Sequence, residues 1–394
     1  QEPFILVINS GSSSLKFGLY AERNGEEQPL VEGEAEGIGH STGRLEMRDP
    51  NGLVLRSEKP RFPSQTEALD RAAQWLAGHS SGVPAAIGHR VVHGGPRLVT
   101  HQAITPAVLK ELEASVHFAP LHIPVALELI CAAQRRYRDV PQFACFDTAF
   151  HNTMPDEAAR FALPTNLFAE GVRRYGFHGL SYESIVRQLQ LARNLPSRLV
   201  VAHLGNGASL AAIKDGRSVD TTMGLTPTGG VPMATRSGDL DPGVIVYLQR
   251  VKRMNADSLE RLLNRESGLA ALSGGKSDMR DLQDAAAKGD DRARLALEVF
   301  CRSIFKVIAA YAAVLGGVDM IVFTGGIGEN STQVRANVCH GLQLLGVSID
   351  DLRNEQGERT ISAAGSDVQV CVISSQEDRQ IARHCRSMTS ARCR

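Results

Sequence analysis

The chain has 394 residues, and 43 lysines and arginines balance 43 aspartates and glutamates. Hydrophobic residues make up 43% of the chain and charged residues 22%, which excludes a disordered chain and leaves no basic excess for binding nucleic acid. At about 150 residues per domain, the length predicts two or three domains.

Short apolar runs alternate with longer helical patterns, which predicts an α/β protein. In chain order, the expected strands are Phe4–Asn9, Leu15–Tyr20, Ala85–Val92, Gln142–Phe146, Arg198–His203, Leu210–Ile213, Met320–Phe323 and Gln369–Ile373. Residues 37–61 are rich in Gly, Ser and Arg and predict loops and edge strands. The clearest helix runs from Arg292 to Leu315, because its apolar residues recur every three or four positions and two glycines follow.

The two halves of the chain share one weak internal similarity. Residues 6–20 and 200–213 both read as a strand, a small polar loop, a Ser-Leu pair and a second strand. Either this agreement is accidental, or the chain holds two similar α/β domains that each open with a hairpin facing a shared cleft.

Seven cysteines are scattered without any zinc-binding spacing, which indicates buried thiols in a reducing compartment. The first residues do not resemble a signal peptide, and the longest apolar run, Ile308 to Val318, is too short for a membrane span. We therefore expect a cytoplasmic protein with no membrane contact.

Three loops are rich in glycine or serine. The segment Asn9 to Lys16 offers backbone amides, hydroxyls and a lysine to an anion, although it lacks the spacing of a Walker A loop. His203 to Gly207 and Thr324 to Ser331 both follow apolar strands, and the second is expected to be a glycine loop before a helix over Thr332–Leu345 capped by Asn330 or Ser331. Each loop could instead be an ordinary turn.

Four charged residues lie in settings that point to function. Arg90 interrupts an apolar strand and Arg236 lies in a polar loop before a helix, and arginine is suited to binding a carboxylate or phosphate. Asp147 and Glu377 follow apolar strands, where carboxylates serve as Mg²⁺ ligands or bases. The alternatives are structural ion pairs for the arginines and helix N-caps for the carboxylates.

Three histidines, His122, His151 and His178, occur in loop contexts. None shows a metal-ligand spacing, so zinc is not expected. The alternative for each is a surface or capping role.

Together these segments resemble the acetate kinase family, within the acetate and sugar kinase/Hsp70/actin superfamily. The matching stretches occur in the family's order and cover nearly the whole chain: NSGSSSLKF, GHRVVHGG, FAPLHIP, FDTAFH, RYGFHGLS, HLGNGAS, MATRSGDLDP, SDMRD and TGGIGEN. The resemblance implies two similar ribonuclease H-like domains flanking a nucleotide-binding cleft, one of residues 1–147 with 378–394 and the other of residues 148–377.

The resemblance also implies a reaction, ATP + acetate ⇌ ADP + acetyl phosphate, by direct in-line transfer in a homodimer with Mg²⁺ (Mn²⁺ as an alternative). It places the metal at Asn9 and Glu377, and the catalytic groups at Arg90, Asp147, His178 and Arg236. The acyl substrate would contact Arg90, Val92, Leu121, His122, Phe177 and Pro227. The nucleotide would contact Lys16, His203, Leu204, Gly205, Asn206, Gly207, Asp278, Met279, Arg280, Gly326, Ile327, Gly328, Glu329 and Asn330.

The chain departs from the family pattern beside these residues. Thr228 and Gly229 replace a usual Leu-Glu, Leu180 and Tyr182 replace a usual Thr and His, and Ser-Gln-Glu-Asp over 375–378 replaces Thr-Asn-Glu-Glu. These differences bear on substrate preference and turnover. The alternatives are a propionate or other short-chain acyl kinase, and a conformational ATPase of the actin/Hsp70 kind.

A carboxylate acceptor has a pKa near ~4–5 and is already ionised at pH 7, so a general base has no proton to remove from it. We therefore expect Asp147 to act through Mg²⁺ or by organising Arg90 and water.

Overall fold

The computed structural model describes residues 2–11, 13–79 and 82–392. The strands are β1 (Phe4–Ser10), β2 (Ser14–Arg23), β3 (Glu26–Glu36), β4 (Arg44–Arg48), β5 (Val54–Glu58), β6 (Ala86–Val91), β7 (Gln102–Ala103), β8 (Gln142–Phe146), β9 (Arg198–Leu204), β10 (Ala208–Lys214), β11 (Arg217–Thr221), β12 (Met320–Thr324) and β13 (Gln369–Val372).

The α-helices are α1 (Gln65–His79), α2 (Pro106–Ala114), α3 (Ile123–Arg136), α4 (Asp156–Ala159), α5 (Thr165–Ala169), α6 (Gly179–Leu191), α7 (Pro242–Arg250), α8 (Ala256–Arg265), α9 (Gly268–Ser273), α10 (Met279–Ala287), α11 (Asp291–Leu315), α12 (Gly325–Asn330), α13 (Thr332–His340), α14 (Asp351–Glu355) and α15 (Glu377–Arg392). Short 3₁₀ turns occur at Val116–Phe118, Ala149–Thr153 and Gln343–Leu345.

The chain forms two compact units. The first consists of Gln1–Ala149 and Gln376–Arg394, and the second of Phe150–Ser375. An eight-stranded sheet in the first unit has the order β5-β4-β3-β2-β1-β6-β8-β7, and a five-stranded sheet in the second has the order β11-β10-β9-β12-β13.

Both sheets contain the same arrangement of five strands, in the order β3-β2-β1-β6-β8 in the first and β11-β10-β9-β12-β13 in the second. In the first unit, β1 pairs antiparallel with β2 and parallel with β6, and β6 pairs parallel with β8. In the second unit, β9 pairs antiparallel with β10 and parallel with β12, and β12 pairs parallel with β13. The predicted class, α/β with two similar domains, is therefore confirmed, and the internal similarity corresponds to the hairpins β1–β2 and β9–β10.

This arrangement gathers the functional segments. Because β1, β6 and β8 are parallel, their carboxyl ends lie at one edge of the first sheet, and β9, β12 and β13 share an edge of the second in the same way. Loops that follow parallel strands in an α/β sheet form its ligand-binding edge.

Buried apolar strands account for the core of each unit. All residues of β1, β8 and β12 are buried, as expected of strands covered on both faces. The last helix, α15, returns to the first sheet and packs on Gly88, where an added Cβ would lie 2.5 Å from a side-chain atom of Ile381 and 2.6 Å from the Cys385 sulfur. Gly88 therefore permits this close approach of helix and strand.

The helix predicted for Arg292 to Leu315 is confirmed as α11. The Asp290 carboxylate caps it by accepting the N–H of Arg292 and Ala293, and Gly316 ends it at a φ of 72°.

The region after β12 differs from the prediction. Residues Gly325–Asn330 form the short helix α12 instead of an open glycine loop. Two side chains stabilise it: Glu329 Oε1 accepts the Gly325 N–H, and the Asn330 side-chain amide donates to the Gly326 carbonyl. Ser331 caps the next helix as expected, but that helix ends at His340 and not at Leu345.

Within the part of the chain that the structure describes, no helix is long and apolar enough to cross a membrane. Five of the six cysteines in this part are buried as free thiols. Ser12, within the predicted anion-binding loop, and Cys393 lie outside the described residues.

Candidate active site

In the first unit, the carboxyl ends of β6 and β8 bring Arg90 and Asp147 together. The Arg90 guanidinium donates from Nε to both Asp147 oxygens at 3.0 and 3.1 Å and from Nη2 to Oδ2 at 2.6 Å. The Asp147 side chain is 1% exposed and the Arg90 side chain 16% exposed. Burial alone would lower the pKa of Arg90, but Asp147 and Glu377 outweigh it and raise that pKa. Burial raises the pKa of Asp147, and Arg90 opposes that rise.

Asn9 lies on the central strand beside this pair. Its Oδ1 accepts from Arg90 Nη1 at 3.2 Å, and its Nδ2 donates to Asp378 Oδ1 at 2.7 Å. Burial raises the pKa of Asp378 to about 6, although the Asn9 bond lowers it and Glu377 adds to the rise. Glu377 is the first residue of α15, so both carboxylates enter the site from the helix that returns to this unit.

The set of side chains around Asn9 suits a hard divalent cation. Asn9, Asp147, Glu377 and Asp378 all offer oxygen, which is the donor that Mg²⁺ prefers. Asn9 is held from both sides of its amide group, by Arg90 and by Asp378. These residues therefore fit the metal that the family resemblance implies.

A small cavity adjoins Arg90. It is lined by Ser10, Gly11, Arg90, Val92, Leu121, His122, Val125 and Ala126. One guanidinium beside aliphatic side chains suits a small molecule with a carboxylate at one end and a methyl group at the other. Lys16 is exposed on β2 and pairs across the hairpin with Asn9.

In the second unit, His178 has a constrained backbone. Its φ is 57°, the left-handed region that non-glycine residues rarely adopt, and α6 begins at the next residue. Its Nδ1 lies 2.8 Å from Ser209 Oγ, and its ring stacks on that of His203 with centroids 4.2 Å apart. The His203 Nδ1 in turn lies 2.8 Å from Ser181 Oγ. The position and plane of the His178 ring are therefore fixed.

Arg236 and His178 converge at Gly207. A Cβ added to Gly207 would lie 3.4 Å from His178 Nε2 and 3.6 Å from Arg236 Nη1. Arg236 is oriented by a 3.1 Å bond from Nη1 to the Pro227 carbonyl. Two nitrogen donors from separate segments thus face a position that has no side chain, which is a cradle for an anion.

The glycine segments 203–207 and 325–330 are neighbours. His203 and Leu204 end β9, and the Gly205 N–H donates to the Gly207 carbonyl, so residues 205–207 form a tight hairpin turn. A Cβ on Gly205 would lie 3.9 Å from the Gly326 nitrogen, and Gly325 has a φ of 78° and approaches the Leu204 carbonyl closely. The turn and the start of α12 therefore present backbone to the same region.

Glu329 has a structural contact within this region. Its Oε1 accepts from the Gly325 N–H at 2.9 Å and from the Ser375 N–H at 3.2 Å, which ties α12 to the segment after β13. Gly326 and Asn330 are exposed, Ile327 is half-buried and Gly328 is buried. The exposed face of α12 is thus the part of this helix that a ligand can reach.

The segment 278–280 begins a helix. Asp278 caps α10 by accepting the Arg280 N–H at 2.8 Å, and the two side chains form an ion pair at 2.6 Å. Met279 is buried, whereas the Arg280 side chain is 87% exposed. Gln283, one turn further, donates to Ser331 Oγ at 2.7 Å, so α10 lies beside the end of α12.

Three other residues named in the sequence analysis, Phe177, His151 and Pro227, are buried inside the second unit. Phe177 is buried, and His151 Nε2 bonds to its carbonyl at 3.0 Å while His151 Nδ1 bonds to Ser218. Burial lowers the pKa of His151 to about 4, which keeps the ring neutral at pH 7. Pro227 is buried and contributes its carbonyl to Arg236.

Sequence reasoning missed three residues of these two sites: Asp378, Ser209 and Ser181. Asp378 follows Glu377 directly, so a second carboxylate at the same helix start was a usable signal. Ser209 and Ser181 end two of the matching stretches, HLGNGAS and RYGFHGLS, but no role could be assigned to them, because their hydroxyls contact histidines that are remote in sequence.

Comparison with known proteins assigns the family. The profile of the acetokinase family matches residues 4–383. An acetate kinase of Clavibacter michiganensis is 44% identical over 399 residues, covering 98% of this chain and all of the relative. The acetate kinase of Methylocella silvestris is 44% identical and covers 96% of each chain.

Solved structures agree with this assignment. The acetate kinase of Porphyromonas gingivalis matches with a TM-score of 0.87 and 37% identity over 98% of this chain and 99% of its own. A propionate kinase of Francisella tularensis matches with a TM-score of 0.91 and 36% identity over 98% of this chain and 100% of its own. Because the family profile and these relatives match nearly its whole length, the chain belongs to the acetokinase family.

Proposed function

We propose that this protein is an acetate kinase, which transfers the γ-phosphoryl group of ATP to acetate and reversibly forms acetyl phosphate and ADP. The observation that carries the proposal is the pair of anion sites: Arg90 beside an aliphatic cavity, and His178 with Arg236 at Gly207. The relatives named as acetate kinases support the choice of substrate.

Arg90 binds the acceptor carboxylate. Acetate is ionised at pH 7, so the reaction needs a group that orients a carboxylate and reduces its charge, not a base. Asp147 holds the guanidinium through three hydrogen bonds and is nearly inaccessible to solvent. Asp147 therefore acts through Arg90, which corresponds to one of the two roles expected from the sequence.

The chemical step joins two anions. A carboxylate oxygen of acetate attacks the γ-phosphorus, the bond from phosphorus to the β,γ-bridging oxygen breaks, and ADP leaves with that electron pair. Because the transferred group is negatively charged throughout, catalysis consists mainly of positioning and charge neutralisation. His178 and Arg236 supply two nitrogen donors for this charge at one point.

Asn9 and Glu377, with Asp378 adjacent, would hold Mg²⁺. When bound, the ion would neutralise phosphate charge. The chain's own contribution is the fixed orientation of Asn9 between Arg90 and Asp378.

The nucleotide occupies the second unit in this proposal. Residues 203–207 take the phosphates, and the exposed face of α12 (326–330) and the start of α10 (278–280) take the adenosine. The family resemblance also assigns Lys16 to the nucleotide. The family resemblance assigns the contacts with the acyl group to Val92, Leu121 and His122 of the first unit and to Phe177 and Pro227 of the second. The physiological form is a homodimer in the cytoplasm, as the family resemblance and the cysteine usage suggest.

A propionate kinase is the second candidate, since a propionate kinase structure matches this chain as well as an acetate kinase structure does. The valines at positions 92 and 125 restrict the cavity and favour acetate. An ATPase of the actin/Hsp70 kind needs no carboxylate site, and the Arg90 cavity argues against it.

A hydroxamate assay with acetate, propionate and butyrate distinguishes these candidates. We expect ATP-dependent acyl phosphate formation with kcat/KM highest for acetate. Arg90→Gln should abolish it, whereas Arg97→Gln, which removes an arginine that is 75% exposed, should not. Preference for propionate would establish the second candidate, and ATP hydrolysis without acyl phosphate would overturn the proposal. Size-exclusion chromatography with light scattering measures the molar mass of the protein in solution and tests whether it is a dimer.

A further inference from the structure

We propose that Tyr182 and Ser209 are positioning residues for phosphoryl transfer, because their hydroxyls form a hydrogen-bond chain that makes His178 present an Nε2–H donor to the transferred phosphate. This inference rests on the proposed function. It assigns a role to Tyr182, one of the positions at which the chain departs from the family pattern.

The chain of hydrogen bonds is buried. Tyr182 lies on α6, four residues after His178, and Ser209 lies on β10, and both residues are 0% exposed. The Tyr182 hydroxyl is 2.5 Å from Ser209 Oγ, and Ser209 Oγ is 2.8 Å from His178 Nδ1. A buried tyrosine hydroxyl needs a hydrogen-bond partner, and Ser209 supplies one here.

The direction of the two hydrogen bonds follows from which group donates more readily. The phenol oxygen shares its lone pair with the ring, so Tyr182 donates more readily than it accepts. The single Ser209 proton is then directed to His178 Nδ1. A neutral imidazole whose Nδ1 accepts must carry its proton on Nε2. If the ring becomes a cation, Nε2 keeps its proton, and Nε2–H is therefore available in both charge states.

The Nε2 atom is the one that matters for the proposed reaction. It lies 3.4 Å from the position of a Cβ on Gly207, and Arg236 Nη1 lies 3.6 Å from the same position. The other tautomer would direct the lone pair of Nε2 toward a phosphate oxygen, which is repulsive. Selecting the tautomer thus converts His178 from a repulsive to an attractive neighbour of the transferred group.

Two other features fix the placement of the His178 ring. The left-handed backbone at His178 fixes the start of its side chain, and stacking on His203 fixes its plane at an interplanar angle of 20°. Neither constraint involves the hydroxyls of Tyr182 and Ser209, so removing the Tyr182 hydroxyl should change the tautomer and leave the plane of the ring unchanged.

The test is to measure the tautomer of His178 by ¹⁵N NMR at neutral pH without substrates. We expect Nε2–H in the native protein and a mixture of tautomers in Tyr182→Phe, which keeps the ring and removes only the hydroxyl. The matched control is Tyr175→Phe, since this buried hydroxyl donates to the Gly171 carbonyl at 2.8 Å in the same unit. The control should leave the tautomer of His178 unchanged.

Kinetics provide the second readout. Loss of one directed hydrogen bond should lower kcat about tenfold in Tyr182→Phe, with the KM values for ATP and acetate changed less than about twofold, because only the transition state is affected. Ser209→Ala should have a similar effect, and the double variant should be no worse than the more affected single variant, since both act through one chain.

The two readouts separate the possible failures. Nδ1–H in the native protein, or an unchanged tautomer in Tyr182→Phe, would overturn the positioning role. If the protein formed no acyl phosphate, the proposed function would fail, but the NMR measurement would still decide whether the hydroxyl chain sets the tautomer. Tyr182→Phe carries this test even if Ser209→Ala does not fold.

Discussion

Replacing Gly207 by alanine should block phosphoryl transfer without unfolding the protein. The backbone of Gly207 is not in the left-handed region, and the new Cβ would make only ordinary contacts, at 3.4 Å to His178 Nε2 and 3.6 Å to Arg236 Nη1. The variant should therefore be as stable as the native protein, with any change within about 1 kcal/mol.

The magnitude follows from the two distances. A phosphate oxygen that accepts from both donors must lie about 2.9 Å from each of them. A methyl group 3.4 and 3.6 Å from the same nitrogens competes with that oxygen for space and displaces it. A misplacement of about 1 Å costs roughly 10²-fold in rate, or about 2.7 kcal/mol of transition-state stabilisation.

The assay compares kcat for acetyl phosphate formation with the thermal midpoint of unfolding. The matched control is Gly365→Ala in the same unit, where an added Cβ meets no atom within 4 Å. We expect the control to retain kcat. A Gly207→Ala variant with kcat within twofold of the native value would show that phosphate does not occupy this position.

Four further outcomes follow from the same geometry. Arg236→Ala should fold and bind ATP but lose about 10³-fold in kcat, or about 4 kcal/mol, and near-normal turnover would contradict its role. Asp147→Asn should destabilise the protein by about 3 kcal/mol in chemical denaturation, because it leaves the largely buried Arg90 without its charged partner, and unchanged stability would contradict the importance of this ion pair. Val92→Ala should raise kcat/KM for propionate relative to that for acetate, by about 1 kcal/mol for the additional methylene. An unchanged ratio of the two values would show that Val92 does not line the acyl pocket. Burial lowers the pKa of both His89 and His151 from 6.5 to about 4, so between pH 6.5 and 4 these histidines bind protons only in the unfolded chain. The free energy of unfolding should therefore decrease by about 3 kcal/mol per histidine as the pH falls from 6.5 to 4. A urea midpoint of unfolding that stays constant over this range would contradict the expectation.

The sequence by itself determined the elements whose apolar residues form an unbroken run or recur at helical spacing. The bounds of β1, β8, β12 and α11 were predicted to within about one residue, because the local pattern of apolar residues shows which positions are buried. The order of the motifs also identified the family, which the comparisons confirm.

The charged elements of the first sheet were decided by tertiary structure. β3 is rich in glutamate and does not read as a strand, yet Glu27 is 3% exposed because Arg386 of α15 pairs with it. Glu32, on the same strand, accepts a hydrogen bond from the Tyr20 hydroxyl at 2.8 Å. A charged side chain is buried at low cost only when an oppositely charged or hydrogen-bonding group contacts it. For Glu27 that group is Arg386, which is more than 350 residues away in the chain.

The same reason separates what was predicted at the candidate site from what was not. Arg90, Asp147, His178 and Arg236 are chemically conspicuous in their local sequence, so each could be proposed in isolation. Arg90 meets Asp147 because the parallel strands β6 and β8 end at the same edge of the first sheet. His178 and Arg236 meet at Gly207 because the fold brings the start of α6 and the loop before α7 to the turn between β9 and β10. Hydrogen bonds and electrostatic contacts act over a few ångströms, so only the fold decides which of the candidate groups act together.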